Sequence, residues 1–380
     1  MDRSRRGQVD AFIVMDVVEA ARAAEAAGHH IIHMEVGQPG TGAPAGARAA
    51  AAAALDAPLG YTVSLGLPAL RAGIAGLYRR WYGVELDPAR VIVTSGSSGA
   101  FLLAFTALFD GGDRVGLGEP GYPSYRQILK ALDLVPVGIA CREANRLQPV
   151  PADLAGLDLR GLIVASPGNP TGTMLDRAAL AALIEASAAR GIRFVSDEIY
   201  HGLHYADRAV SALEISDDVY VINSFSKYFS MTGWRVGWMV VPQDHVRTVE
   251  RLAQNLFICA PHVAQVAALA ALDCVDALEA NRAVYAMNRR LMLEGLPKAG
   301  FTKIAPPDGA FYIYADVSAL TQDSLAFSAE LLREAGVAVT PGLDFDPVRG
   351  GRTLRFSYAS ATADIVEGLR RLQDYMGQRP

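Results

Sequence analysis

The run LRGLIVASPGNPTGTMLDRAALAALIEASAARGIRFVSDEIY, residues 159–200, carries the pattern from which the fold is read. Its segment GLIVA is short, apolar and unbroken, as suits a strand covered on both faces. A turn rich in proline and glycine follows, then the helical stretch DRAALAALIEASAARG and a second apolar run, IRFVSDEIY. Strand, helix and strand in this order form the unit of a parallel sheet. The rhythm continues on either side. RVIVTSG at 90–96 precedes GAFLLAFTAL, DRVGLGEP at 113–120 precedes SYRQILKAL, and DVYVINSFSK and WRVGWMVVP come later. An α/β fold with a mainly parallel sheet between helices is predicted. In such sheets ligands sit beyond the carboxyl ends of the strands, so the polar residues after each apolar run are the first candidates for function.

Two further segments frame this alternation. The Ala-rich stretch from Ala43 to Leu55 reads as a helix beginning after Pro44, and QVDAFIVMDVVEAARAAEAAG near the N-terminus reads as an amphipathic helix. Beyond about residue 285 the pattern changes to a long helix (AVYAMNRRLMLEGLPKAG), a strand pair around GAFYIYADV, another helix and the strand TLRFSYA. That is the signature of a second, smaller α+β domain. Neither an internal repeat nor a Pro- or Ser-rich linker marks the boundary.

The chain has 380 residues, more than one ordinary core accommodates. With 51% hydrophobic and 20% charged residues it is compositionally a folded protein. Its formal charge of -5, with no cluster of Lys and Arg among aromatics, argues against nucleic acid as a partner. No apolar run has the length to cross a bilayer. Cys141, Cys259 and Cys274 are too few and too scattered for a disulfide framework or a zinc site. They suit a reducing compartment, and a cytoplasmic location is expected. His29, His30 and His33 lie close together but lack metal-ligand spacing, so they read as structural and no metal is expected.

The sharpest chemical signal is SFSKYFSMTGWRVGW at 224–238, where Lys227 follows a strand and is surrounded by hydroxyl residues instead of acids. Burial and nearby cations lower a lysine pKa and free the amine lone pair for Schiff-base formation. Taken alone, a lysine snorkelling from a loop is the more economical reading. The neighbouring runs change the balance. FVSDEIY puts Asp197 and Tyr200 at the end of an apolar strand, where a carboxylate is costly unless it meets a cation such as a protonated ring nitrogen. SPGNPTG holds Asn169 between two prolines, a rigid turn that is also common without any function. TSGSSGAF places Ser97, Ser98 and several backbone N–H groups between a strand and a helix, an anion cradle or simply turn chemistry. Arg235 offers a fork-shaped cation for the same anion.

The ordered set Y-T-x-x-x-G, G-x-x-G-A, S-P-x-N-P-T-G, D-E-x-Y, S-x-S-K and W-R-x-G resembles the class I/II aminotransferases, which belong to fold type I of the pyridoxal-phosphate enzymes. The match runs from about Gly37 to Tyr358. The resemblance implies a large cofactor-binding domain over 46–285 with a seven-stranded sheet. A small domain built from both chain ends, 1–45 and 286–380, completes the implied fold. It makes pyridoxal 5'-phosphate the cofactor and Lys227 the Schiff-base lysine. Asp197 becomes the partner of the pyridine nitrogen, and Tyr200 and Asn169 donors to the phenolic oxygen. Ser97, Ser98, Ser224 and Arg235 fall at phosphate positions, with Ser226 a further candidate, and Tyr122 in EPGYPSY matches an aromatic stacked on the ring. Tyr61 resembles a tyrosine reaching the neighbouring subunit's phosphate, which implies a homodimer. Without the resemblance, Tyr61 and Tyr122 read as core aromatics. Arg355 matches the arginine that grips the substrate α-carboxylate, and Gly37 the loop lying over the substrate. A surface arginine and a turn glycine are the alternatives.

Fold leaves the reaction open, since such sites also serve β-eliminating C–S lyases, decarboxylases and cyclopropane-forming synthases. Transfer of an amino group from an L-amino acid to a 2-oxo acid is the expected activity, with β-elimination as the alternative. A non-catalytic cofactor-binding sensor is a third reading. The side-chain pocket is expected from Val14 to Val18, from Leu65 across the dimer and from Phe257 to Pro261, with no cation assignable to a second carboxylate.

Overall fold

The structure, a computed structural model, describes residues 3–379; Met1, Asp2 and Pro380, the outermost residues of the expected end segments, lie outside it. Its large sheet has seven strands. In spatial order they are Val91–Thr94, Gly237–Val240, Tyr220–Ser224, Arg193–Asp197, Gly161–Ala165, Arg114–Glu119 and Val135–Ala140. Only Gly237–Val240 runs antiparallel to its two neighbours. Six carboxyl ends therefore open on one edge, where Asp197 ends its strand and the segments following the other strands carry Ser97, Tyr122, Asn169 and Lys227.

Alternation along each strand divides the core. Leu162, Val164, Phe194, Val221 and Trp238 face one apolar cluster, while Ile163, Val195, Ile222 and Met239 face the other. Each is at most 4% exposed. Period-2 alternation of uniformly apolar residues is what a sheet covered on both faces requires. The expected helix between strands Gly161–Ala165 and Arg193–Asp197 spans Arg177–Ala188. It starts at Asp176, whose carboxylate accepts the N–H of Ala179 at 2.8 Å and satisfies an otherwise orphaned donor.

The second unit is a four-stranded antiparallel sheet in the order Thr340–Pro341, Thr353–Ser357, Tyr312–Asp316, Lys303–Ile304. The strand pair expected around GAFYIYADV is Lys303–Ile304 against Tyr312–Asp316. Both ends of the chain meet here, because Ile32–His33 pairs in parallel with Val337–Ala338. The helix expected from about 285 begins earlier, at Val275, and runs unbroken to Gly295. It contains no Gly or Pro before that last residue to interrupt it.

Candidate active site

At the strand ends lies a cavity of about 230 Å³. Gly37, Ser97, Ser98, Tyr122, Asn169, Asp197, Tyr200, Ser226, Lys227, Arg235 and Arg355 all line it, so every expected site residue except Ser224 and Tyr61 does. Residues far apart in sequence converge because the parallel strands share one edge and the small sheet closes over it.

The side chain of Lys227 leaves the loop after Tyr220–Ser224 and donates to the Gly37 carbonyl at 2.5 Å. Part of the residue touches solvent, but the amine is enclosed. Burial pushes its pKa down from 10.5 to about 8, and the Arg355 and Arg235 guanidiniums add to that, against the opposing pull of Asp197. A substantial fraction of neutral amine near neutral pH is what a nucleophilic lysine needs.

Asp197 is 4% exposed. One carboxylate oxygen accepts the phenol of Tyr125, and the other accepts the Ile199 N–H at 3.0 Å. Burial raises its pKa from 3.8 to about 6, and the two hydrogen bonds and Lys227 hold it from rising further. Among the described residues no cationic side chain bonds to it, so a cation in the cavity would find it free to pair. The hydroxyls of Tyr200 and Tyr312 are 2.6 Å apart, and Tyr122 meets Tyr125 edge-on with centroids at 5.2 Å.

At the other end, helix Gly96–Leu108 points its N-terminus into the cavity with Ser97 and Ser98 in its first turn. Gly96 has φ of 71°, and a Cβ there would lie 2.4 Å from Nη2 of Arg235. The missing side chain is thus what lets Arg235 reach the helix start. Ser226 faces the cavity, whereas Ser224 stands behind it, 2.8 Å from the Ser226 hydroxyl and donating to the Val236 carbonyl at 3.1 Å.

Arg355 is 3% exposed and lies with its guanidinium carbon 4.5 Å from the Tyr312 ring centre. Nη1 donates to Asn169 Oδ1 at 2.9 Å, and Nη2 to the Glu35 carbonyl and, at 3.2 Å, to Thr340. Its Nε is buried and, among the described residues, finds no acceptor. A buried guanidinium beside an open cavity with an unmatched donor is suited to receive an anionic group.

These features fit pyridoxal phosphate. A helix N-terminus with Ser97, Ser98, Ser226 and Arg235 suits its phosphate, an unpaired buried carboxylate suits its ring nitrogen, and an enclosed amine suits its carbonyl. Sequence reading missed Tyr125 and Tyr312. Tyr125 follows Tyr122 by three residues, so a helix places both on one face. Tyr312 lies in the strand segment FYIY, with no polar neighbour to single it out. Of the expected pocket residues Val14 and Met15 line the cavity, joined by Phe12, which was not expected. Leu65 and Phe257, both partly buried, pack against the core of this subunit, and Tyr61 is 81% exposed.

Comparison with known proteins places this architecture. The model of the family described as Aminotransferase class I and II matches residues 29–372. The valine–pyruvate aminotransferase of Mycobacterium tuberculosis is 48% identical over 378 residues, covering 98% of this chain and 97% of that protein. Among solved structures, a putative aminotransferase from Silicibacter pomeroyi is 71% identical, with a TM-score of 0.96 over the full length of both chains. Aspartate aminotransferase from Thermus thermophilus with maleate is 30% identical, with a TM-score of 0.93 over 98% of this chain and 99% of that one. The chain belongs to the class I and II aminotransferases and is accordingly a transferase, with the fold type I architecture that its sheet displays.

Proposed function

We propose that the enzyme uses pyridoxal 5'-phosphate to move the amino group of an L-amino acid with an apolar side chain to a small 2-oxo acid such as pyruvate. The observation that carries this reading is the single cavity holding the Lys227 amine, the Asp197 carboxylate and the Ser97–Arg235 cradle, with Phe12, Val14 and Met15 as an apolar wall. When bound, the cofactor supplies a conjugated ring that accepts the electrons released as the substrate Cα proton leaves. Ser97, Ser98, Ser226 and Arg235 hold its phosphate, with Ser224 supporting Ser226. Asp197 stays charged against the ring nitrogen, Tyr200 and Asn169 orient the phenolic oxygen, and Tyr122 covers the ring. Lys227, whose amine is enclosed in the cavity, would hold the carbonyl end. The same lysine then moves a proton on and off the substrate Cα. Gly37 leaves room for the substrate, and Arg355 grips its α-carboxylate.

The apolar preference follows from a count of charges. The cations lining the cavity are Lys227, Arg235 and Arg355. Lys227 and Arg235 are committed to the cofactor and Arg355 to the α-carboxylate, which leaves none for a side-chain carboxylate among the described residues of this subunit that line the cavity. The relative from M. tuberculosis is named for valine and pyruvate. Elimination is not favoured, because the whole-length relatives are aminotransferases.

The same reading divides the chain into an N-terminal segment, 1–45, a large domain, 46–285, and a small domain, 286–380. It pairs two chains into a homodimer. Tyr61 at 81% exposure, with Leu55 at 65%, Leu59 at 42% and Val63 at 59%, forms an apolar surface that a second copy would cover. The free cysteines Cys141, Cys259 and Cys274 support a cytoplasmic location. Among the described residues, no helix is long and apolar enough to cross a membrane.

A panel of L-valine, L-leucine, L-alanine and L-aspartate, each with and without pyruvate or 2-oxoglutarate, tests the reading. New amino acid formed from the added 2-oxo acid, fastest with valine or leucine, is the expected result. Ammonia and pyruvate released from L-cysteine, added to the panel without an acceptor, with hydrogen sulfide as the leaving group, would overturn transfer, and a preference for aspartate would overturn the apolar pocket.

A further inference from the structure

The helix that supplies the apolar wall is held from the far end of the chain. Helix Ile13–Ala26 has Phe12 at its N-cap, a side chain with no acceptor for the orphaned N–H groups of the first turn. Asp344 takes that part, from the turn Gly342–Asp344 between two strands of the small sheet. Its carboxylate, 4% exposed, accepts the Ile13 N–H at 3.0 Å and the Val14 N–H at 3.2 Å, one on each oxygen. Phe12, Val14 and Met15, which flank this contact, line the cavity. The Phe12 ring stands edge-on to Tyr122 with centroids 6.0 Å apart.

The residue after Asp344 ties the same turn to the rest of the site. The Phe345 ring lies 4.7 Å from the guanidinium carbon of Arg355. Its carbonyl accepts the N–H of Gly121, the neighbour of Tyr122, at 3.0 Å. One short turn thereby sets the apolar wall, the carboxylate grip and the ring cover in register. A carboxylate aimed at two main-chain N–H groups suits this task, because it fixes the helix start whatever side chains the wall carries.

We propose that Asp344 is a specificity-determining positioning residue, latching the start of helix Ile13–Ala26 so that Phe12, Val14 and Met15 form a fixed pocket for the side chain of an apolar amino acid. This rests on the apolar-substrate reading above. A side chain long enough to touch the wall gains from the latch, whereas the methyl group of alanine gains little.

Three variants test it, each measured with L-leucine and L-alanine as donors and by hydrogen exchange over residues 12–18. Asp344→Ala is expected to raise KM for leucine by about tenfold or more while changing kcat less than about twofold. KM for alanine is expected to change less than about threefold. Exchange of the Ile13 and Val14 amides speeds up, a readout independent of activity. Asp344→Asn keeps one acceptor and restores part of the leucine KM. Ile13→Pro removes the 3.0 Å donor without touching the small sheet. Proline is tolerated at a first helical position, and Phe12 before it is already extended at φ -90° and ψ 100°. It is expected to reproduce the leucine effect even where Asp344→Ala fails to fold. A wild type without preference for leucine over alanine removes the substrate reading, and the role of the latch in specificity with it. Where that preference is present, equal losses for both donors in these variants, or unchanged exchange at Ile13 and Val14 in the Asp344 variants, overturn the latch alone.

Discussion

The phenol of Tyr125 donates a hydrogen bond to Oδ2 of Asp197 deep inside the protein. With the Ile199 N–H on the other oxygen, the carboxylate is held on both sides, yet among the described residues no cationic side chain bonds to it. Burial pulls the pKa of Asp197 upward and the phenol pulls it down. The working charge of the group proposed to face the ring nitrogen is set by that balance.

Replacing Tyr125 by Phe removes the opposing pull. A hydrogen bond to a charged group contributes roughly 1.5–3 kcal/mol, which corresponds to about one to two pH units. The acid limb of kcat/KM is expected to move up by that amount in Tyr125→Phe, because Asp197 then picks up a proton at higher pH. A pH profile with an unmoved acid limb would show that the phenol does not tune the carboxylate.

Asp197 also makes the cofactor-free protein sensitive to pH. Its folded pKa, about 6, lies above its ordinary 3.8, so the fold favours the protonated form. That contribution is complete below the ordinary value and is lost as pH rises through the folded one, at a cost of about 3 kcal/mol. Cofactor-free Asp197→Asn is expected to gain on the wild type between pH 4 and 7 and to keep the advantage at pH 8. Urea unfolding at both ends of that range checks this, and a difference that does not vary with pH would refute it.

Lys227 is depressed in the opposite sense, to about 8. In the cofactor-free protein, acylation of Lys227 is expected to reach half its maximal rate near pH 8. Arg355→Gln removes the larger of the two cationic contributions and is expected to shift the Lys227 midpoint upward. Peptide mass mapping across a pH series reads both effects. A Lys227 midpoint near the ordinary 10.5 would mean the amine is not perturbed.

Much of this site is legible in the sequence because its residues sit at the ends of strands. Lys227, Asp197, Asn169 and Ser97 each follow an apolar run, and the fold brings those ends to one edge. Ser224 is less legible, since two serines flank Phe225 and only packing decides that Ser226 faces the cavity while Ser224 backs it. Tyr125 carries no local mark beyond its distance from Tyr122, because its partner lies 72 positions away. Asp344 is harder still, with its Val14 contact 330 positions distant and nothing in GLDFD to announce a helix cap. The unread contacts are the non-local ones, which depend on how the small sheet docks rather than on any periodicity.

Gly96 tests the phosphate cradle. Its φ of 71° is strained for any L side chain, and a Cβ would press against Arg235 at 2.4 Å. Gly96→Ala is expected to destabilise the protein by about 1–3 kcal/mol and to weaken cofactor binding by about tenfold or more, because Arg235 must move off the helix start. Absorbance titration with pyridoxal phosphate and thermal melting separate the two effects. Full affinity in a folded Gly96→Ala protein would place the phosphate elsewhere.

Tyr61 is the test of the shared site. It lies on the surface of its own subunit, 81% exposed, while Lys227 is enclosed in the cavity. If each tyrosine completes the site of the neighbouring chain, Lys227→Ala and Tyr61→Ala disable different halves of the same centre. Each variant alone is expected to be strongly impaired. Refolding the two together in equal amounts makes about half of the dimers hybrids, and each hybrid has one site with both native residues. The mixture should therefore recover about a quarter of wild-type activity, against the small residual of either parent. A mixture no more active than the average of its parents would place Tyr61 outside the partner's site and leave its exposure to be explained by something other than shared catalysis.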